Sequence, residues 1–372
     1  MENTLDSKYR PRNLKDVIGQ KVPVQSLTNA FASDNIRNAY LLHGKFGTGK
    51  TTIGRILAAM INCEKGPTPN PCGSCDNCEA IFKGKSIDTI EIDAGSNRGI
   101  DDIRDLKKEI QQHAIYSNKK VVIIDECHSL TGIAAESALK MLEEPPKGVI
   151  FILCTTDLNK VLPTIRSRCA NYKFNEISWI DIFEHLKFIA KSEGLDFEEE
   201  ALKICAKSSD GSVRNSLQNL QAVIDYVGDM KMTKEYAKEA LGETDENYYF
   251  KLIDAIVKTK APEAFNIVNA ILRDGKDINC ILSGFYRHFD NLFKFSKCLD
   301  MSDEELCQMG FNIEDIKKYK YQVSTFKDNP EEKIDLLFTL CKRINEGISL
   351  NVDSNVLFDA YIVKSITLLN KK

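Results

Sequence analysis

Gly44-Lys45-Phe46-Gly47-Thr48-Gly49-Lys50-Thr51 follows the apolar run Ala39-Tyr40-Leu41-Leu42 and precedes a segment of helical spacing. Strand, glycine loop and helix in that order form the context that a phosphate-binding P-loop requires. Glycines let backbone N–H groups curl around a β-phosphate, and the helix N-terminus behind the loop adds positive potential. Lys50 is expected to reach the β- and γ-phosphates, and Thr51 to hold Mg2+ through its hydroxyl. The stretch also predicts the fold class, because strand followed by loop and helix is the repeating unit of an α/β core.

Working outward, further strands are expected at Thr89–Ile92, Val121–Ile124, Val149–Thr155 and Asn171–Phe174. Val121–Ile124 and Val149–Leu153 are apolar on both faces, as strands of a covered parallel sheet should be. A helix is expected over Ile133–Leu142, stopped by Pro145-Pro146. After Ser178 the periodicity is helical. Ile182, Leu186 and Ile189 form one stripe, and Val213, Leu217, Leu220, Ile224 and Val227 another. A short helix carrying Leu202 and Cys205 lies between them. Later stripes include Phe250/Ile253/Ile256 and Leu282/Phe285/Phe289/Leu292, with two more helices around Leu336–Ile344 and Val356–Leu369. Asp274-Gly275-Lys276 and Asp328-Asn329-Pro330 read as turns. The expected organisation is an α/β core over residues 1–177, three short helices over 178–242 and an all-α region over 243–372.

At 372 residues the chain is long enough for two or three cores. A formal net charge of −4 excludes a uniformly basic nucleic-acid binder and leaves room for a local basic surface. There is no apolar N-terminal signal region and no stretch apolar enough to span a bilayer, so a cytoplasmic protein with no membrane partner is expected.

Val121-Val122-Ile123-Ile124-Asp125-Glu126 is four β-prone apolar residues ending in two acids, the Walker B pattern. At the carboxyl end of a parallel strand beside the P-loop, Asp125 can position Mg2+ and Glu126 can polarise an attacking water. His128 follows closely, and a lone histidine beside a helix start is read as a packing or hydrogen-bonding residue. Twelve cysteines need explaining in a cytosolic chain, where disulfides are not expected. Cys63, Cys72, Cys75 and Cys78 cluster in a loop rich in Pro and Gly, which has little core of its own. Four thiolates around one Zn2+ would supply that stability and leave no open coordination position, making the metal structural. An iron–sulfur cluster is the rival. It is disfavoured because the fourth cysteine lies upstream and no Cys-Pro follows Cys78. Cys154, Cys205 and Cys341 read as small buried hydrophobes.

Arg166-Ser167-Arg168-Cys169 precedes the last strand, at a sheet edge that could face a neighbouring subunit. An arginine offered in trans to a γ-phosphate is a recurring way to stabilise transition-state charge. In Asp210-Gly211-Ser212-Val213-Arg214, Ser212 reads as a helix N-cap. Arg214 then sits in the first turn, where a cation opposes the helix dipole, and this points to an anionic partner such as ATP.

Together these elements resemble the bacterial clamp-loader ATPases, the gamma/tau subunits of DNA polymerase III within the AAA+ superfamily. The likeness is best over residues 8–225. Lys8-Tyr9-Arg10-Pro11 with Val17-Ile18-Gly19-Gln20 is similar to the family's N-terminal segment near the adenine. The cysteine cluster between the Walker motifs and Leu142-Glu143-Glu144-Pro145-Pro146 are similar to family features. Ser167-Arg168-Cys169 resembles the SRC motif, whose arginine is the trans-acting finger, so Arg168 is expected to be the finger, although Arg166 departs from the family pattern. Thr155-Thr156-Asp157 resembles the sensor 1 region, making Thr156 a candidate catalytic residue, and Arg214 falls where the sensor 2 arginine belongs. The resemblance implies an ATPase core with parallel sheet, a three-helix lid and an oligomerising helical collar. It also implies ATP, Mg2+ and Zn2+ as ligands, a pentamer formed with itself and other clamp-loader subunits, a sliding clamp, and primer–template DNA. Arg98 and Lys140 are candidate DNA-phosphate contacts. Ending at Lys372, the chain is similar to the short gamma form without the tau tail. The rival readings are a DNA-translocating AAA+ motor of the branch-migration type and a scaffold with a structural nucleotide site.

Overall fold

The computed structural model describes residues 4–369 apart from 97–105, 107, 131, 243–244, 274–277, 310 and 312. Arg98 and the turn expected at 274–276 therefore lie outside the described residues. The chain divides into two compact units, Met1–Ala237 and Lys238–Lys372.

In the first unit, five strands form one sheet: β1 (Ala39–Gly44), β2 (Thr89–Asp93), β3 (Lys120–Asp125), β4 (Val149–Thr155) and β5 (Ala170–Phe174). Their spatial order is β2-β3-β4-β1-β5 and every pair is parallel. All five carboxyl ends therefore share one edge. β4 lies between β1, which leads into the glycine loop, and β3, which ends in Asp125. Ends of expected strands move by one or two residues at most. β3 gains Lys120 and Asp125, and β1 extends to Gly44.

Apolar side chains point to both faces of this sheet, and both faces are covered. Tyr40, Leu42, Val121, Ile123, Ile150 and Ile152 pack with the helix Lys50–Asn62. Leu41, Val122, Ile124, Phe151 and Leu153 pack with Ala138, Met141 and Leu142 of the helix Gly132–Glu143 and with Ile165 of the helix Pro163–Arg168. Burial on two faces explains why these strands read as continuous apolar runs. Cys154 and Cys205 are buried in this unit and Cys341 in the second, as expected of small hydrophobes.

The helices Trp179–Ser192, Glu199–Lys207 and Val213–Val227 follow as expected. A further helix, Lys234–Ala240, was not expected from the pattern. It buries Ala237 alone among its residues, too narrow a stripe for periodicity to register.

The second unit is all-α, built around Phe285, Phe289, Leu292, Phe295, Leu337 and Phe358. Two of its helices, Asp303–Gln308 and Ile313–Thr325, escaped the reading of apolar stripes. The first carries a full capping box, Ser302 with Glu305, which a search for Ser-x-x-Glu would have found. The second turns Ile316, Tyr319, Gln322 and Val323 inward, so half its buried face is polar or amphipathic. The helix expected near Leu336–Ile344 runs from Pro330 to Ser349, with Pro330 at its start.

Candidate active site

The glycine loop leaves β1 and returns into the helix Lys50–Asn62, so it sits at the carboxyl edge of the sheet. Two glycines are required by close approach. Gly44 has φ +148°, and a Cβ there would stand 2.1 Å from the Phe174 carbonyl oxygen on β5. Gly47 has φ +72°, and a Cβ would stand 1.9 Å from Ser212 Oγ. The loop is thus pressed against the start of the helix Val213–Val227, and Val213 N donates to Gly47 O at 3.1 Å. Ser212 caps that helix, accepting from Asn215 N at 3.2 Å. The guanidinium of Arg214 lies 5.4 Å from the centre of the Phe46 ring, a cation–π contact across the same junction.

These elements enclose a cavity of about 240 Å³. It is lined by Phe46, Gly47, Thr48, Gly49, Lys50 and Thr51 of the loop, by Asp125 and Glu126, and by Arg214. Tyr9, Arg10, Pro11, Val17 and Ile18 line its other side. Gly44 and Lys45, also expected to bind nucleotide, do not line it. Lys45 instead reaches the Glu176 carboxylate at 3.0 Å and the Asp210 carbonyl at 3.3 Å.

Lys50 is buried, and its Nζ donates to the Gly44 and Lys45 carbonyl oxygens, each at 2.9 Å. Burial pulls its pKa down, and the nearby Glu126 and Asp125 carboxylates push back. The Thr51 hydroxyl donates to Asp125 Oδ2 at 2.6 Å. Two oxygen donors converging from the loop helix and β3 suit a hard cation such as Mg2+. Glu126 has φ +47°, a left-handed conformation uncommon outside glycine. Its Oε2 accepts from Thr156 Oγ1 at 2.8 Å and from Thr156 N at 3.2 Å. His128 Nδ1 lies 3.2 Å from the same oxygen and 3.0 Å from Thr155 Oγ1. The strand order causes this convergence, because β4 delivers Thr155 and Thr156 beside the end of β3.

Arg168 is elsewhere. Among the described residues, it is absent from those lining the first cavity and lines a second one, of about 620 Å³, with Arg37, Asn38, Glu143 and Ser167. Arg166 lines neither cavity. Lys140 is exposed on the helix Gly132–Glu143.

The four clustered cysteines meet. The Sγ atoms of Cys63, Cys72, Cys75 and Cys78 all lie within 4.8 Å of one another. Tetrahedral Zn–S bonds of about 2.3 Å would set sulfur–sulfur edges near 4 Å, so the set fits one ion. Cys72 N donates to Cys63 Sγ and Cys75 N to Cys72 Sγ, contacts that favour thiolates. Backbone N–H groups of Ser74 and Cys75 pull the Cys72 thiol down to about 6, whereas burial pushes Cys78 up. Cys63 is the C-cap of the helix Lys50–Asn62, so the cluster is rooted at the far end of the helix that begins the phosphate loop.

Four residues at or beside the cavity, His185, Arg55, Glu91 and Gln20, were not among the expected site residues. His185 lines the cavity, and burial pulls its pKa down. Its spacing of three from Ile182 marked it as inward-facing. Arg55 and Glu91 line the cavity as a two-point ion pair at 2.8 and 2.9 Å. Arg55 follows Thr51 by one helical turn, and that spacing was the available signal. Gln20 is buried and bonds the Asn175 backbone on both its oxygen and nitrogen, at 3.2 and 2.7 Å. No local spacing announces that contact.

Comparison with known proteins finds relatives along most of the chain. Residues 19–178 match the family described as "DNA polymerase III, delta subunit". Residues 181–224 match "DNA polymerase III clamp loader subunit, ATPase lid domain". The chain is 38% identical to DNA polymerase III subunit gamma of Buchnera aphidicola subsp. Schizaphis graminum, covering 77% of this chain and 79% of that protein. It is 34% identical to subunit gamma/tau of Mycoplasma genitalium, covering 88% of this chain and 56% of that one. Thermotoga maritima RuvB is a distant structural likeness, with a TM-score of 0.48 and 18% identity over 68% of this chain and 80% of that one, and it carries no argument about function. With an ATPase-type phosphate site, a lid and relatives that this chain spans over most of their length, the chain belongs to the gamma/tau family of bacterial DNA polymerase III clamp-loader ATPases.

Proposed function

We propose that the chain couples ATP hydrolysis to the opening of a sliding clamp and its placement on primer–template DNA, as one subunit of an oligomer. The observation that carries this reading is the division of the catalytic groups. Loop, Asp125, Glu126 and Arg214 gather at one cavity, while Arg168 lines another. A nucleotide site built this way is completed by a neighbouring subunit, whose Arg168 stabilises charge on the γ-phosphate.

Lys50 and Arg214 bind the phosphates, and the apolar Val17 and Ile18 beside Tyr9 receive the base. Thr51 and Asp125 would hold Mg2+, which when bound neutralises phosphate charge. Glu126 orients and deprotonates the attacking water, its carboxylate held in place by Thr156. Binding couples nucleotide to subunit packing because the phosphates touch residues of two chains. The ATP-bound pentamer holds the clamp open, DNA entry aligns Glu126 and Arg168, and hydrolysis releases the clamp. Lys140 and Arg98 contact DNA phosphates, which carry no sequence information, as loading at varied junctions requires. The four cysteines hold a structural Zn2+, and the closed donor set leaves no position for a substrate.

Steady-state ATPase assays of the assembled complex test the reading. Full activity should need sliding clamp and primed DNA together, and fall on Glu126→Gln. Stimulation by duplex DNA alone, accompanied by strand displacement, would overturn it in favour of a translocating motor.

A further inference from the structure

Arg168 is not loose on the surface. Its Nη2 lies 2.7 Å from Glu143 Oε1, and its Nη1 donates to the Thr164 carbonyl oxygen at 2.9 Å. Glu143 is the last residue of the helix Gly132–Glu143 and Arg168 the last of Pro163–Arg168. Met141 and Leu142 from the first helix and Ile165 from the second share one hydrophobic cluster against the sheet. Packing therefore sets the spacing of the two backbones, and the ion pair sets the plane of the guanidinium.

The pair is placed for aiming rather than for stability. Its side chains are 37% and 39% exposed, and exposed ion pairs add little to folding. A guanidinium has five N–H donors. Two are used on Glu143 and Thr164, leaving three for a ligand at the open cavity that the residue lines. Because the guanidinium stays charged, a carboxylate neighbour orients it without discharging it. A free arginine must lose rotamer entropy when it engages a phosphate, and one already held loses less.

We propose that Glu143 is the positioning residue for Arg168, presenting its guanidinium in one plane to the nucleotide of the adjacent subunit. The inference rests on the reading of Arg168 as the residue that acts in trans. It gives the acid preceding Glu144-Pro145-Pro146 a role distinct from ending a helix.

The test is the ATPase of the assembled complex carrying Arg168→Ala, Glu143→Ala, Glu143→Gln or the double alanine change. Glu143→Ala should lower kcat by roughly 10-fold to 100-fold, the scale of a misplaced catalytic group, and leave KM for ATP within about twofold. Glu143→Gln, which keeps an acceptor and the same size, should fall between it and the parent. The double variant should be no slower than Arg168→Ala, since there is then no guanidinium to aim. Unchanged or raised kcat for Glu143→Ala, with Arg168→Ala impaired, overturns the positioning role alone. A further loss in the double variant does the same, pointing to a structural role for Glu143. Unchanged kcat for Arg168→Ala overturns the trans reading and this inference with it.

Discussion

Thr156 Oγ1 donates to Glu126 Oε2 at 2.8 Å, tying the acid at the end of β3 to the residue following β4. Together with Thr156 N and His128 at 3.2 Å, this fixes the orientation of the Glu126 carboxylate. On the proposed reading of Glu126 as the general base, the threonine holds its carboxylate where it acts. Thr156→Val should lower kcat of the assembled complex roughly 10-fold to 100-fold, and Glu126→Gln roughly 100-fold or more, as loss of a general base does. Nucleotide affinity, measured by fluorescence titration, should change little in either. Wild-type turnover in Glu126→Gln would remove the acid from the chemistry.

The contact of Gly47 with Ser212 makes the phosphate loop depend on the lid helix. Gly47→Ala forces a Cβ to 1.9 Å from Ser212 Oγ at a φ of +72°. ATP affinity should fall at least about tenfold, a cost near 1.4 kcal/mol. Adding Ser212→Ala removes the closest clash and should restore part of the affinity. The remaining deficit reflects the left-handed backbone.

Metal analysis of the purified chain should return about one zinc per chain and no iron, with no visible absorbance. Because Cys63 caps the helix that starts at Lys50, Cys78→Ser should lower the melting temperature of the first unit and weaken ATP binding together. Iron with visible absorbance would replace the zinc assignment.

Asp88 is buried, and its carboxylate accepts from the backbone N–H groups of Ile115, Tyr116 and Ser117 at 2.7–2.9 Å. Asp88→Ala strands three donors, so unfolding by denaturant should show a loss on the order of 3 kcal/mol. Asp88→Asn, which can satisfy some of them, should lose less.

In the second unit, His288 is buried between Gln322 and Tyr319. Its Nε2 lies 2.7 Å from Gln322 Oε1, its Nδ1 lies 3.3 Å from Tyr319 OH, and Asn291 donates to that hydroxyl at 3.0 Å. The consistent pattern has Nε2–H donating and Nδ1 accepting, which is the neutral ring. Burial brings its pKa down to about 4 from an ordinary 6.5. The unfolded chain therefore binds the extra proton first as pH falls. Stability due to the neutral ring is complete above about 6.5 and is lost progressively toward 4, by roughly 3 kcal/mol at the limit. Denaturation at pH 7.5, 5.5 and 4.5 should show a larger acid loss for the parent than for His288→Gln. Carboxylate titration is common to both, so equal losses would refute the assignment.

Much of the site was legible because its signals are local. A strand, a glycine loop and a helix in sequence specify a phosphate cradle. Two acids closing an apolar run specify a strand end, and Ser212 before Val213 specifies a cap. What escaped was polar material on buried faces. Gln322 and Tyr319 hid the helix Ile313–Thr325, and no local spacing announces the contact of Gln20 with Asn175.

By itself, the sequence determined the kinds of element, the phosphate loop and the four cysteines, since each rests on residues within one turn, strand or loop of one another. Only the tertiary structure decided that β4 sits between β1 and β3, which brings Thr156 to Glu126. It alone seated Ser212 on Gly47 and joined Arg168 to Glu143 across two helix ends. Those contacts arise from strand order and packing between distant segments, and the periodicity of a single segment encodes neither.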